Sequence, residues 1–395
     1  MDLARQIKEL VARQADELVA IRRHLHAHPE LSFEEHETAE FVKSRLTEWG
    51  LAPKPIAGTG VVALIEGQHP EKKTVALRAD LDALPIQEVD DRSYRSTRPG
   101  VMHACGHDVH TTSLLGAAYV LNQLRDQFEG TVKLIFQPGE EKAPGGATLV
   151  IKEGGLESPR PNAIVGQHVM PLIEAGKVGF RSGMYMASAD ELYVTVKGKG
   201  GHGAMPEMNI DPILIASHMV VALQQIVSRN ANPKIPSVLS FGRFIAEGAT
   251  NVIPNQVYLE GTFRTMDEAW RKDALQRMKK MAEGLVESMG GTCEFNIVEG
   301  YPFLKNDPDL AQTLRGYAEE YLGAENVVDL DMWMAAEDFA YYTHHVPACF
   351  YRLGTRNEAR QITSSVHTPT FDIDESALPI GAGLMAWLAI RQLQP

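Results

Sequence analysis

Cys105-Gly-His-Asp108 opens the stretch of sequence that decides the fold of this 395-residue chain. A helix is expected from about Val109 to Leu124, and the apolar run Thr131-Val-Lys-Leu-Ile-Phe136 predicts a strand that ends shortly before Glu140-Glu141. Alternation of helices with apolar strands indicates an α/β domain with a mainly parallel sheet. Because ligand-type side chains follow such strands, we expect a site at the carboxyl edge of this sheet.

Further elements extend this pattern in both directions along the chain. Strands are expected at Gly60–Ile65, Thr74–Arg78, Ala163–Gly166 and Ala348–Leu353. The segment Ser32-Phe-Glu-Glu35 has the form of a capping box, which predicts a helix from there to Trp49.

From about Ala187 the order of the elements changes to strand, helix, strand, strand, helix, strand. These elements are expected at Asp190–Val196, Asp211–Ser228, Ser237–Ile245, Gln256–Arg264, Glu268–Met289 and Thr292–Val298. The order βαββαβ is that of ferredoxin-like modules. We therefore expect an α+β domain at residues 187–298, inserted into an α/β domain made of residues 1–186 and 299–395.

The composition is typical of a globular protein, with 44% hydrophobic and 23% charged residues. A formal net charge of −13 argues against a nucleic-acid partner and against binding to an anionic membrane surface. The N-terminus lacks the apolar core of a signal peptide, and no segment reaches the roughly 18 uninterrupted apolar residues of a transmembrane helix. The three cysteines are too scattered for a disulfide framework, so we expect a cytoplasmic location.

The residues with metal-ligand chemistry are one thiolate, three imidazoles and one carboxylate, at Cys105, His107, Glu141, His168 and His367. Each is expected in a short loop after a strand. Two adjacent ions that share one ligand would each have three protein ligands, which leaves positions for water and substrate. The alternative is a single structural zinc, but its ligands normally come in close pairs, whereas these extend from Cys105 to His367.

Other polar residues have both a chemical and a structural interpretation. Glu140 would be a free carboxylate beside a metal-activated water, although an exposed acidic pair is the alternative. Of Asp80 and Asp82, one is expected to orient a ligand imidazole, and a turn or cap aspartate is the alternative. His24 and His28 are expected to be structural, although their spacing resembles that of a metal pair.

The chain resembles the metal-dependent aminoacylases and carboxypeptidases of the M20 peptidase superfamily. The resemblance lies with the amidohydrolase branch, which includes hippurate hydrolases and indole-acetyl-amino-acid hydrolases. The matching stretches cover nearly the whole chain in the family's order: Arg22–Leu31, Leu77–Pro85, Met102–His110, Phe136–Glu141, Gly198–Pro206, Asn251–Pro254, Ala336–Phe339 and His367–Pro369.

This resemblance implies a role for each candidate residue. Cys105 would bridge two divalent ions; His107 and His168 would complete one ion and Glu141 and His367 the other. Glu140 would be the general base, and Asp82 would support the site. The inserted domain would be a dimerisation or lid domain, from which His202 and Asn251 reach the substrate of the partner chain. Arg264 is a candidate for binding the substrate carboxylate.

The expected function is hydrolysis of the amide bond of an N-acyl amino acid, with two Zn²⁺ or Mn²⁺ ions, or alternatively Co²⁺ or Ni²⁺, in a homodimer or larger homo-oligomer. The alternatives are a dipeptidase or aminoacyl carboxypeptidase that uses the same site, and a non-catalytic metal- or ligand-binding protein. One stretch departs from the family pattern: Lys142-Ala-Pro144 stands where many relatives have glycines. The preferred acyl group therefore does not follow from the resemblance.

Overall fold

The computed structural model describes residues 3–394. Its α-helices, in chain order, are α1 Leu3–Arg13, α2 Ala15–Ala27, α3 His36–Glu48, α4 His107–Gln123, α5 Gly146–Lys152, α6 Pro212–Gln225, α7 Glu268–Ser288, α8 Pro308–Leu322, α9 Ala340–Thr343 and α10 Ala377–Leu393. Its strands are β1 Lys54–Ile56, β2 Gly60–Glu66, β3 Thr74–Asp80, β4 Thr131–Gln137, β5 Ala163–Glu174, β6 Val178–Phe180, β7 Gly183–Met186, β8 Asp190–Lys197, β9 Gly201–His202, β10 Ser237–Ile245, β11 Val252–Ile253, β12 Gln256–Thr265, β13 Thr292–Glu299, β14 Leu304–Asn306, β15 Val327–Asp329 and β16 Ala348–Arg356.

The larger compact unit is built on an eight-stranded sheet in the order β1-β2-β4-β3-β5-β16-β6-β15. The central strands β4, β3, β5 and β16 run parallel to one another. The pairs β1–β2, β2–β4 and β16–β6 are antiparallel. Every residue of β3 and β4 is buried, as expected for strands covered on both faces. The helices α4 and α10 are buried along most of their length and belong to the same hydrophobic core. The expected α/β class with a mainly parallel sheet is therefore confirmed.

Two candidate ligands lie in regular elements and not, as predicted, in loops after strands. His168 lies within β5, because this strand continues to Glu174 instead of ending near Gly166. His107 is the first residue of α4, which begins two residues earlier than predicted. Gly106 precedes it with φ +80°, and a Cβ atom there would come within 2.6 Å of a methyl group of Val169. A side chain at this position would be strained, so glycine lets the chain turn sharply into the helix.

The predicted capping box is wrong. Helix α3 begins at His36, and neither Ser32 nor Glu35 caps it through a side chain. The carboxylate of Glu30 does so instead, because it accepts the N–H groups of Glu37 at 3.2 Å and Thr38 at 2.8 Å. Ser32 instead donates its hydroxyl hydrogen bond to Asp82 Oδ2 at 2.6 Å, and Phe33 adopts φ +68°, which removes this segment from helical geometry. A long-range partner therefore takes the hydroxyl that a local cap would have used.

The smaller compact unit comprises Met184–Leu304 with Met332–Glu337. Its four-stranded antiparallel sheet has the order β10-β12-β8-β13, and α6 and α7 pack with the sheet in a separate hydrophobic core. Asp211 and Asp267 cap these two helices by accepting backbone N–H bonds. The chain order β8-α6-β10-β12-α7-β13 has the predicted βαββαβ arrangement.

Among residues 3–394, no helix combines the length and apolar character needed to cross a bilayer.

Candidate metal centre

Three buried side chains meet where β5 and the start of α4 come together. Cys105 Sγ lies 3.4 Å from His168 Nε2, and ligand atoms of Cys105, His107 and His168 all lie within 4.8 Å of one another. Each imidazole is fixed through its other nitrogen: His107 Nδ1 donates to Asp82 Oδ1 at 3.1 Å, and His168 Nδ1 donates to the Val169 carbonyl at 2.8 Å. The Nε2 lone pairs therefore remain for a metal ion. We call these three residues the inner ligand group.

A second group shares the same thiol and is more open to solvent. Cys105 Sγ lies 3.3 Å from His367 Nε2, which in turn lies 3.3 Å from Glu141 Oε1. The side chain of His367 is 53% exposed, that of Glu141 only 13%. His367 has φ +60°, and its backbone N–H donates to the Ala104 carbonyl at 2.7 Å. We call Cys105, Glu141 and His367 the outer ligand group.

Two carboxylates stand beside these groups. Glu140 is 6% exposed, and its Oε2 lies 4.0 Å from His107 Nε2, while its Oε1 accepts a weak hydrogen bond from the Asp338 N–H at 3.4 Å. Asp82 is almost fully buried and also accepts a hydrogen bond from the Glu141 N–H at 2.9 Å. Asp82 is thus the aspartate that orients a candidate ligand imidazole, and it also holds the loop that carries Glu141.

The electrostatics of the cluster fit a divalent cation. Burial, with the added charges of Glu141 and Glu140, raises the pKa of the Cys105 thiol well above its usual range. Burial opposes protonation of His107, but Asp80 and Asp82 outweigh it and raise its pKa to about 10. His107 Nε2 is buried and makes no hydrogen bond among residues 3–394. A cation would replace the protons that these carboxylates attract and would occupy the unpartnered nitrogen.

A buried network behind the inner group escaped the sequence-based assignment. His110 Nδ1 donates to Asp80 Oδ1 at 2.5 Å, and His110 Nε2 accepts the Val169 N–H at 2.9 Å. Arg78 joins Asp80, at 2.6 Å, to Asp338, at 2.7 Å. Because Asp338 also approaches Glu140, this network connects the sheet edge to the candidate base. The local signal for this network was the pair of aspartates at the end of β3, Asp80 and Asp82.

A buried arginine connects the two ligand groups through their neighbours in the chain. Arg22 Nε donates to Asp108 Oδ2 at 2.9 Å, one residue after His107. Its Nη2 donates to Asp372 Oδ1 at 2.8 Å, in the segment that follows His367. Burial opposes the charge, but the facing carboxylates outweigh it and raise the pKa of Arg22 further. Arg22 therefore remains charged and holds together segments that are far apart in sequence.

The remaining candidates lie in the smaller unit. His202 and Asn251 are neighbours, because β9 pairs with β11 and the Gly203 N–H donates to the Asn251 carbonyl at 2.8 Å. Both are exposed. Strand β12 begins at Gln256, which pairs with Lys197, and Arg264 lies near its carboxyl end. At about 3.3 Å per residue, Arg264 is roughly 26 Å along the strand from Gln256. The structure therefore groups His202 with Asn251 and not with Arg264.

His24 and His28 do not form a metal pair. The His24 ring stacks on Phe41, and His28 Nδ1 donates to the His24 carbonyl at 2.8 Å. Their structural interpretation agrees with these contacts.

Comparisons with known proteins place the chain in a family. Over 297 residues it is 44% identical to an N-acyl-L-amino acid amidohydrolase of Geobacillus stearothermophilus, covering 75% of this chain and 80% of that protein. Over 388 residues it is 41% identical to the IAA-amino acid hydrolase ILR1-like 4 of Arabidopsis thaliana, covering 96% and 86%. The crystal structure of the Bacillus subtilis YXEP protein, a dinuclear metal binding peptidase from the M20 family, superimposes with a TM-score of 0.83 at 36% identity, covering 97% of this chain and 99% of that one. Residues 76–391 match peptidase family M20/M25/M40, and the chain belongs to that family.

Proposed function

We propose that this protein is a metal-dependent hydrolase that cleaves the amide bond of N-acyl amino acids, releasing a carboxylate and a free amino acid. The observation that carries this proposal is the pair of ligand groups that share Cys105, with the carboxylate of Glu140 beside them. The relatives named as amidohydrolases of N-acyl and IAA amino acids support the substrate class.

Two divalent ions fit the donor set. The inner group, Cys105, His107 and His168, would hold one ion, and the outer group, Cys105, Glu141 and His367, would hold the other. Mixed sulfur, nitrogen and oxygen donors suit Zn²⁺ or Mn²⁺, and also Co²⁺ or Ni²⁺. When bound, such ions acidify a water molecule and polarise the amide carbonyl.

Glu140 would move the protons. Its buried Oε2 faces the inner group at 4.0 Å from His107 Nε2, so it takes a proton from the attacking water as the new carbon–oxygen bond forms. As the carbon–nitrogen bond breaks, Glu140 returns that proton to the departing amine nitrogen. Asp82 keeps a proton on His107 Nδ1 and so directs Nε2 towards the site.

We expect a homodimer in which His202 and Asn251 of one protomer contact the substrate of the other. His202 Nδ1 accepts the Ala204 N–H at 3.1 Å, which leaves Nε2–H to donate to the carbonyl oxygen as its charge grows. Arg264, half-buried beside Thr262, is the candidate partner of the substrate carboxylate. The edge position of β10 and the exposed Val221 and Phe244 give the smaller unit a surface suited to a second copy.

The test measures amino-acid release by chelator-treated protein, with and without added Zn²⁺, Mn²⁺ or Co²⁺. The substrates are N-acetyl and N-benzoyl amino acids, with free dipeptides as the contrasting set. We expect metal to restore cleavage of the acyl substrates. Preferential cleavage of dipeptides would instead favour the dipeptidase alternative, and metal binding without turnover on either set would favour a non-catalytic protein.

Glu140→Gln is the variant that tests the role of Glu140, because it keeps the size of the side chain and removes its basicity. We expect turnover to fall about 10³-fold while two ions remain bound. A variant that keeps most of its activity would rule out Glu140 as the base.

Hybrid dimers test the arrangement across the two chains. Mixing His202→Ala with Glu140→Gln protomers should restore about one quarter of wild-type turnover by random pairing, because one site in each mixed dimer has both groups. Absence of any recovery in confirmed mixed dimers would contradict it.

A further inference from the structure

The side chains of Ser32–Glu35 do not cap α3, and they make other contacts to which the proposed mechanism gives no role. Glu35 is fully buried. Its Oε1 accepts the Gly139 N–H at 2.7 Å, and its Oε2 accepts the hydroxyl of Thr59. Burial raises the pKa of this carboxyl, which reflects the cost of keeping a charge there. Gly139 is the residue directly before Glu140, so one end of this costly contact is the loop of the candidate base.

Packing restricts the same peptide. Gly139 adopts φ +58°, and a Cβ atom there would lie 2.3 Å from the Phe33 ring. The Phe33 ring therefore lies directly against the Gly139 backbone. The hydrogen bond that the Gly139 N–H donates to Glu35 and the ring of Phe33 together leave this peptide little freedom.

The other side of Glu140 is held as well. The Glu141 N–H donates to Asp82 Oδ2 at 2.9 Å, and the Ser32 hydroxyl donates to the same oxygen at 2.6 Å. The backbone before Glu140 is thus fixed by Glu35, and the backbone after it is fixed by Asp82, which Ser32 orients. Glu140 stands between two tethers that both lead to Ser32–Glu35.

We infer that Glu35 is a positioning residue that sets the orientation of Glu140 through the Gly139 peptide. This inference rests on the proposed function, because Glu35 acts only through the base. A purely structural role would depend equally on both hydrogen bonds of Glu35, whereas a positioning role depends on the bond to Gly139 alone. Thr59 therefore provides the matched control.

The experiment compares Glu35→Ala, Glu35→Gln and Thr59→Val in metal-saturated protein. Glu35→Ala should lower kcat about 10- to 100-fold, with KM within about threefold and both ions retained, because a displaced base slows proton transfer more than binding. Glu35→Gln should stay within about threefold, since its carbonyl oxygen can accept from Gly139 while its amide donates to Thr59. Thr59→Val should stay within about twofold, although it loses one hydrogen bond.

A cycle with Glu140→Gln asks whether the effect passes through the base. In that background Glu35→Ala should cause no further loss of kcat, because no base remains to be positioned. Equal losses in Glu35→Ala and Thr59→Val, or the same loss in the presence and absence of Glu140, would overturn the inference.

If Glu35→Ala does not fold, a second variant, Glu35→Asp, tests the same inference. Glu35→Asp keeps the charge but withdraws it from Gly139, and a wild-type kcat in this variant would overturn the inference. The proposed function fails differently, because in that case the wild-type protein itself cleaves none of the acyl substrates.

Discussion

The inner and outer ligand groups share Cys105 but differ in how the fold holds their other members. In the inner group, His107 and His168 are buried in a helix and a strand, and each is fixed by a hydrogen bond through Nδ1. In the outer group, His367 lies outside the helices and strands and is half exposed. A helix and a strand therefore hold the inner group in place before an ion binds, whereas the outer group depends on the loop that carries His367. We therefore expect the inner group to hold its ion more tightly.

Removal of the shared thiol should impair both ligand groups equally, and we expect it to have the largest effect on metal content and turnover. Cys105→Ala should lose both ions and at least about 10³-fold in turnover, because each group is left with two ligands. The measurements are metal content by mass spectrometry and turnover at saturating substrate. Cys349→Ala is the control, because Cys349 is also buried and belongs to neither ligand group. Retention of two ions by Cys105→Ala would show that the groups do not share this residue.

Separate removal of one histidine from each group should reveal the difference directly. His367→Ala should retain about one ion per chain and lose about 10²-fold or more in turnover. His168→Ala should bind the remaining ion less tightly, because it leaves only the exposed group intact. Dialysis against graded chelator measures both. Identical retention by the two variants would contradict the ranking of the groups.

A smaller effect is expected at the residue that supports the inner group. Asp82→Asn weakens the contact that fixes His107 and should reduce metal affinity about 10- to 100-fold. Excess metal should restore most of the turnover, since the ligands themselves remain. Failure of excess metal to restore it would mean that Asp82 contributes more than support.

The smallest change in turnover is expected at the arginine that joins the two halves. Arg22→Lys keeps the charge but cannot fork between Asp108 and Asp372, so we expect about 1–3 kcal/mol less stability towards urea. Metal-saturated turnover should stay within about threefold. Arg23→Lys is the control: Arg23 is 43% exposed and pairs with Glu375, and its replacement should change stability by less than about 0.5 kcal/mol. Equal destabilisation by the two substitutions would rule out a special role for Arg22.

The sequence predicted the parts of this centre that follow a local rule. Ligand-type side chains near the ends of apolar strands indicated that Cys105, Glu141 and His168 would meet, because parallel strands place their carboxyl ends at one edge. It did not predict that Ser32 would bond Asp82, 50 residues away, or that Arg22 would bond Asp108, 86 residues away. Hydrogen bonds between residues so far apart produce no periodic pattern in the sequence from which they could be predicted. The capping-box pattern at Ser32 failed for the same reason, because a distant carboxylate competed successfully for the hydroxyl.

The domain boundaries and the roles of the site residues stay predictions, as do the cytoplasmic location, the identity of the metal and the dimer. Local patterning identified the strands and helices of the smaller unit, whereas its contacts with substrate depend on an assembly that a single chain does not determine.

The distance along the chain between Cys105 and His367 has a consequence for biosynthesis. These contacting side chains are separated by 262 residues. On the ribosome, the inner group can assemble once β5 has emerged, but the outer group must wait until the smaller unit and β16 have been made. We therefore expect a nascent chain to contain all three residues of the inner group before the outer group is complete. Because the entropy of closing so long a loop must be overcome first, we expect the contact between Cys105 and His367 to form slowly.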